Sequence, residues 1–225
     1  MKKLLIVFTF SLLLVACKKE AEEEPQQETE MYSEASYQIT VTGKWNATDF
    51  NVPPGVHFTQ IAGAVHNKEV ELWKEGMPAS RSVEYIAENG YSAPLLADVD
   101  TLIMMKKALS RITAQTPPPT GSSTFGVKVN TNFFRLSFAS MLAPTPDWFF
   151  GASGFALYRN GSWVRDTTVQ LFAYDGGTEE GDVFSGNNPD TNPQQPIHLL
   201  SIANASRLFK GSVLPIAEMR IQKLE

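Results

Sequence analysis

The chain holds a single cysteine, Cys17, and it closes the only long apolar run in 225 residues. Whatever folds after it must be held by a core and by hydrogen bonds, without disulfides. Residues 1–17 read MKKLLIVFTFSLLLVAC. Lys2 and Lys3 form a basic start, and the stretch from Leu4 to Val15 is apolar. A spanning helix needs about 20 apolar residues, so this run is too short and reads as a signal peptide over 1–16. Its end, Leu14-Val15-Ala16-Cys17, has the form of a bacterial lipobox. The expectation is lipid on Cys17 and attachment to the membrane through that anchor. Lys18 rather than Asp follows the cysteine, which favours an outer-membrane lipoprotein, facing the periplasm or the cell surface.

Residues 18–36, KKEAEEEPQQETEMYSEAS, carry seven Glu and two Lys and almost nothing to bury. With Cys17 they read as a flexible acidic tether over 17–36. The chain has 19 basic and 24 acidic residues; positions 2–3 and 18–36 take four and seven of them. That leaves 15 and 17 for residues 37–225, a nearly neutral domain of net charge −2. Such a balance argues against nucleic acid as a partner. With 14 Phe and 4 Trp the domain can bury a substantial core.

Tyr37–Gly43 alternates as a half-buried strand, and Phe58–Val65 suits a buried one. Glu69–Trp73 also alternates. Ser80 or Ser82 can cap a short helix ending at Asn89-Gly90. Apolar residues at 95, 99, 102, 105, 109 and 112 predict a second helix over Leu95–Ile112. Beyond the loop 117–123, strands are expected over Phe134–Leu142, Gly154–Arg159, Val164–Tyr174 and Ile216–Ile221. Many short strands with regular turn signals indicate a sandwich or a barrel.

Motifs for enzymatic chemistry are absent. Gly151-Ala-Ser-Gly154 is one residue short of a nucleophile elbow, and no H-E-x-x-H, G-x-x-x-x-G-K or G-x-G-x-x-G occurs. His57 and His66 lie nine apart around an apolar run and read as hydrogen-bonded packing groups rather than as metal ligands in company with His198. Acidic segments are more informative. Residues 175–182, DGGTEEGD, place four acids on a glycine-rich loop. Hard cations such as calcium take carboxylate and carbonyl oxygens from loops of this kind. A plain hairpin turn with solvated glutamates is the other reading of the same residues.

Six segments, in order, resemble the spondin N-terminal domain family, the module of F-spondin and mindin. They are YQITVTGKW (37–45), PGVHFTQIAGAVHN (54–67), LWKEGMPAS (72–80), AENG (87–90), LSFASMLAPTPDWFFG (136–151) and DGGTEEG (175–181). The resemblance covers essentially all of residues 37–225. It implies a mainly β fold, a C2-like antiparallel β-sandwich with one or two short helices in the 80–112 region. It also implies one bound calcium, with Asp147, Asp175 and Glu179 as ligands. Where some members add a glutamate shortly before the strand that leads into the segment matching Pro144–Trp148, the matching residues 128–132 contain no acid.

The resulting expectation is a lipoprotein that displays a calcium-binding spondin domain for binding or adhesion. It is not an enzyme, and its partner is an unidentified protein or glycan. Two alternatives use the same acidic loops: a metal-dependent hydrolase, and a calcium-dependent phospholipid binder. The second is disfavoured by the near-neutral domain, which lacks a basic run.

Overall fold

The structure is a computed structural model and describes residues 32–224. The expected signal peptide over 1–16, the lipidation at Cys17 and the tether up to residue 31 lie outside the described residues.

The elements in chain order are β1 (Glu34–Gly43), β2 (His57–Phe58), β3 (Ile61–His66), α1 (Arg81–Asn89), α2 (Ala93–Met104), β4 (Ala108–Ala114), β5 (Ser122–Asn130), β6 (Arg135–Ala143), β7 (Trp148–Ala156), β8 (Tyr158–Arg159), β9 (Ser162–Trp163), β10 (Thr167–Leu171), β11 (Ala173–Asp175), β12 (His198–Leu199) and β13 (Ala217–Lys223). They form two antiparallel sheets and a small β8–β9 hairpin. One sheet has the order β10-β13-β1-β5. The other runs β12-β11-β7-β6-β3-β4, with β2 added on β6. β1 begins three residues ahead of the expected boundary at 37, because Glu34–Ser36 already pair with Lys128–Asn130 and Ala35 is buried.

Period-two alternation splits the central strands between two cores. Ile61 and Val65 of β3, Phe138 and Leu142 of β6, and Trp148 and Phe150 of β7 face the smaller sheet. There they meet Tyr37, Ile39 and Val41 of β1 and Met219 and Ile221 of β13. Ala62, Ala64, Ala139 and Phe149 lie on the opposite face, under α1 and α2. The larger sheet is therefore covered on both sides, which explains its continuous apolar runs.

α1 follows its local signals: Ser80 caps its start and Gly90 takes the left-handed conformation after its end. The helix expected over Leu95–Ile112 is corrected. α2 stops at Met104, and Ala108–Ala114 is β4, with Ile112 in the inter-sheet core. The strand expected over Glu69–Trp73 is a loop lying on the helix-side core. Trp73 anchors it, donating from Nε1 to the Phe138 carbonyl at 3.0 Å and meeting Phe149 and Tyr174 edge-on. Among the described residues no helix is long and apolar enough to cross a membrane.

Candidate metal centre

The connection from β6 to β7 reads Pro144-Thr145-Pro146-Asp147. Prolines fix φ and remove N–H donors, so Thr145 organises the turn. Its hydroxyl donates to the Leu142 carbonyl and its oxygen accepts from the Trp148 N–H. Trp148, Phe149 and Phe150 are fully buried at the start of β7, and they draw the preceding acid inside with them. Asp147 is 0% exposed. Its Oδ2 accepts from the Thr178 N–H (2.7 Å), the Glu179 N–H (3.1 Å) and the Thr178 hydroxyl (3.2 Å). Its Oδ1 is buried without any hydrogen-bond partner.

Asp175 ends β11, between Trp148 on β7 and His198 on β12. Its Oδ1 accepts from the Gly177 N–H at 2.8 Å and lies 3.9 Å from His198 Nδ1. The chain then turns back over Asp147, and the two glycines make that possible. The Gly176 N–H donates to the Asp147 carbonyl, and a Cβ there would stand 3.2 Å from two Asp147 oxygens. Gly177 has φ +73°, and a Cβ on it would lie 2.2 Å from the Gln195 carbonyl oxygen. Position 177 therefore admits no side chain.

The site is electrostatically unbalanced. Burial pushes the Asp147 carboxyl up, against the opposing effect of the Thr178 and Glu179 donors. Burial, and then the neighbouring Asp147, raise Asp175 to about 6. Glu179 is raised to about 7 by burial, with Glu88, Asp147 and Asp190 adding to it and Asn188 opposing it. Glu88, on α1, is raised by burial, with Glu84, Asp147 and Asp190 adding to it and the Thr178 hydroxyl opposing it. Among the described residues the only basic side chain within 4.0 Å of these acids is His198.

Of the three expected ligands, Asp147 and Asp175 are brought together. Glu179 reaches Asp147 through its backbone N–H, while its carboxylate accepts from Asn188 Nδ2 at 3.4 Å. Among the described residues no group of three or more His, Cys, Asp or Glu side chains stands ready-made around a metal. The donor chemistry fits a hard cation all the same: these are buried carboxylate oxygens, one of them orphaned, without Lys or Arg to balance them. Residues 128–132, which lack the additional acid, lie at the other end of the sandwich, where Asn130 pairs with Glu34. Glu88 is a contributor that sequence reasoning missed, and His198 stands beside Asp175 rather than with His57 and His66. Glu88 sits inside the AENG segment, but nothing local tied it to Asp147.

Of the two histidines expected to be packing groups, His66 is one, while His57 is exposed and bonds the Gly55 carbonyl through Nδ1. His57 and His66 lie at opposite ends of β6, beside Ala143 and Arg135. His66 is fully buried; Nδ1 bonds the Asn67 carbonyl and Nε2 the Ser137 hydroxyl, which in turn accepts from the Gly154 N–H. Burial holds its pKa below the usual value.

Residues 35–209 match the family model described as Spondin_N. Spondin-2 of Rattus norvegicus is 27% identical over 204 residues, covering 84% of this chain and 62% of that protein. Human Spondin-2 is 27% identical over 179 residues, 76% of this chain and 54% of that protein. Spondin-1 of Gallus gallus is 30% identical over 207 residues, 84% of this chain and 25% of that protein. The chain thus spans under two thirds of the length of these curated relatives.

Proposed function

The chain belongs to the Spondin_N family, and on that premise we propose a binding or adhesion module displayed outside the cytoplasm. In this reading Cys17 carries lipid that anchors the chain to the bacterial outer membrane. One calcium ion is held by Asp147 and Asp175, with Glu179 turning inward as the third carboxylate. The partner is a protein or a glycan, and the role is non-enzymatic.

The observation that carries the calcium reading is Asp147: fully buried, with one oxygen accepting three hydrogen bonds and the other orphaned among unbalanced acids. A bound divalent cation supplies the missing positive charge. The N–H groups that hold Asp147 and Asp175 belong to the loop between β11 and β12. A cation there would brace that loop, which supports a structural role over a catalytic one.

The test is calorimetry across free calcium from chelator to millimolar levels, because extracellular modules often bind only at about 10⁻⁴–10⁻³ M. At one hundred times the dissociation constant the gain is about 2.7 kcal/mol. Asp175→Asn removes most of it, whereas Glu180→Gln, at an exposed residue, retains it. An unchanged melting temperature throughout the titration overturns the calcium reading.

A further inference from the structure

We propose that the turn at Met104–Lys107 is a membrane-docking tip that seats its methionines in the same anionic bilayer that holds the Cys17 lipid. The inference rests on the anchored reading above and assigns a surface that the calcium site does not use.

The tip is built to show apolar atoms. Met104 is 78% exposed and Met105 57%, and Leu109, just beyond, is 36% exposed. Met104 is the most exposed large hydrophobic side chain among the described residues. Unbranched, polarisable methionine adapts to irregular partners at little conformational cost. Exposed apolar clusters of this kind mark contact surfaces.

Its helix stop is unusual. The Lys106 N–H donates to the Ile103 carbonyl and the Lys107 N–H to the Leu102 carbonyl. This is a Schellman closure, which needs a left-handed residue at position 106. Glycine normally fills that place, yet here Lys106 stands at φ 56°. A non-glycine residue pays for this conformation in backbone strain. The left-handed stop thus places a cation between the methionines and β4.

More cations surround it. Lys107 follows, in a long 3.7 Å pair with Glu69. Lys68 lies in the adjacent turn, where the Asn67 N–H donates to the Lys107 carbonyl. Lys128 lines the same groove as Leu109. Asp100, one turn back on α2, is already paired with Arg111. The lysines come from three separate segments that only the fold brings together, so the sequence shows no basic run. With Glu69 and Glu34 the acids beside them, apolar side chains flanked by Lys68, Lys106, Lys107 and Lys128 suit the interface of an anionic bilayer.

Position decides the occupant. A groove of about 490 Å³ is lined by Glu34–Ser36, Leu109, Ser110 and Lys128–Asn130. The first residues of β1 and the approach to the tip therefore share one end of the sandwich. Residues 18–33 link that end to Cys17 and span at most about 60 Å when extended. Anchoring through Cys17 thus holds this end within reach of the bilayer and raises its local concentration there. A protein contact at this end adds a second hold on the bilayer beside the lipid.

The test uses the full chain in its mature lipidated form. Cys17 is the only cysteine and its lipid blocks the thiol, so Met104→Cys takes one environment-sensitive fluorophore. Asn187→Cys is the control at the acidic end. Both are reconstituted into phosphatidylethanolamine–phosphatidylglycerol vesicles containing a fraction of spin-labelled lipid. The expected result is a blue shift and quenching at 104 with neither at 187. Lys106→Glu with Lys107→Glu should lower the ratio of docked to undocked tip at least tenfold, in protein whose melting temperature shows it folded. Vesicle flotation without quenching at 104 overturns the docking tip and leaves the Cys17 anchor standing. Failure to float overturns both. A blue shift at 104 that precedes vesicle addition and grows with protein concentration assigns the tip to a second copy of the chain and overturns the bilayer.

Discussion

Asp147 shows how much one side chain can determine. Three donors converge on one of its oxygens and none on the other. Buried polar groups are normally paired, because an unmade hydrogen bond costs about 1–3 kcal/mol. An orphaned carboxylate oxygen therefore marks the place where a positive partner belongs. Asp147→Asn keeps the size but removes the charge, and calorimetry should show no stabilisation by millimolar calcium. The pH dependence has a definite sign. Asp175 and Glu179 are raised to about 6 and about 7. Each favours the fold fully when protonated, below its unfolded pKa near 4, and loses that contribution as pH rises through the folded value. In chelator, the melting temperature of the wild type relative to Asp175→Asn should fall between about pH 4 and 7. Saturating calcium should reverse the trend, since it binds the ionised carboxylates. A wild type that gains on Asp175→Asn over that window in chelator would contradict the raised values.

At the scale of elements, the loop between β11 and β12 depends on its glycine. Gly177→Ala meets both the left-handed φ and the Gln195 carbonyl. It should cost about 2–4 kcal/mol and weaken calcium binding along with stability, read by chemical denaturation with and without calcium. Lys106→Gly does the opposite: it relieves the strained helix stop and should raise stability by about 0.5–1 kcal/mol. These two positions also show what the sequence made legible. α1 was readable because Ser80 and Gly90 are local signals that act where they stand. α2 was overextended because Met105 and Leu109 continue a helical spacing while lying on the surface, and because the stop at Lys106 is written in a residue that does not announce one. Glu69–Trp73 alternates like a strand, yet Val70, Leu72 and Trp73 are buried beneath the helix layer instead of joining a ladder. The glycine-rich acidic loop 175–182 was legible by itself as a hard-cation candidate, but its meeting with Asp147 was legible only through family resemblance. Asp147 and Asp175 meet by strand pairing of β7 with β11, and Glu88 arrives from a helix, so no spacing in the chain encodes their proximity.

At the scale of the whole molecule, β6 runs from Arg135 at one end to Ala143 at the other. With a rise of about 3.3 Å per residue, the carboxylate site and the first residue of β1 are separated by roughly 25 Å. The acids lie at the far end and the lysine-flanked tip at the near one. Cys17→Ser should move the chain from the membrane fraction to the soluble fraction or leave it unprocessed, as cell fractionation would show. For a domain of this size, the calcium gain of about 2.7 kcal/mol corresponds to a rise of about 5–10 °C in melting temperature.

The arrangement of β1 has a mechanical consequence. The strand lies between β13 and β5, bonded to both along most of its length, and under the anchored reading proposed above its first residue is where a pull through the anchor would arrive. Antiparallel hydrogen bonds stand perpendicular to their strands. If a ligand grips the far end while the membrane holds the near one, the tension runs lengthwise along β1. Both ladders are then loaded in shear, all rungs at once, instead of being peeled apart one after another. A domain strung this way resists stretching far better than its thermal stability alone would indicate, which would serve the anchored binding module proposed above.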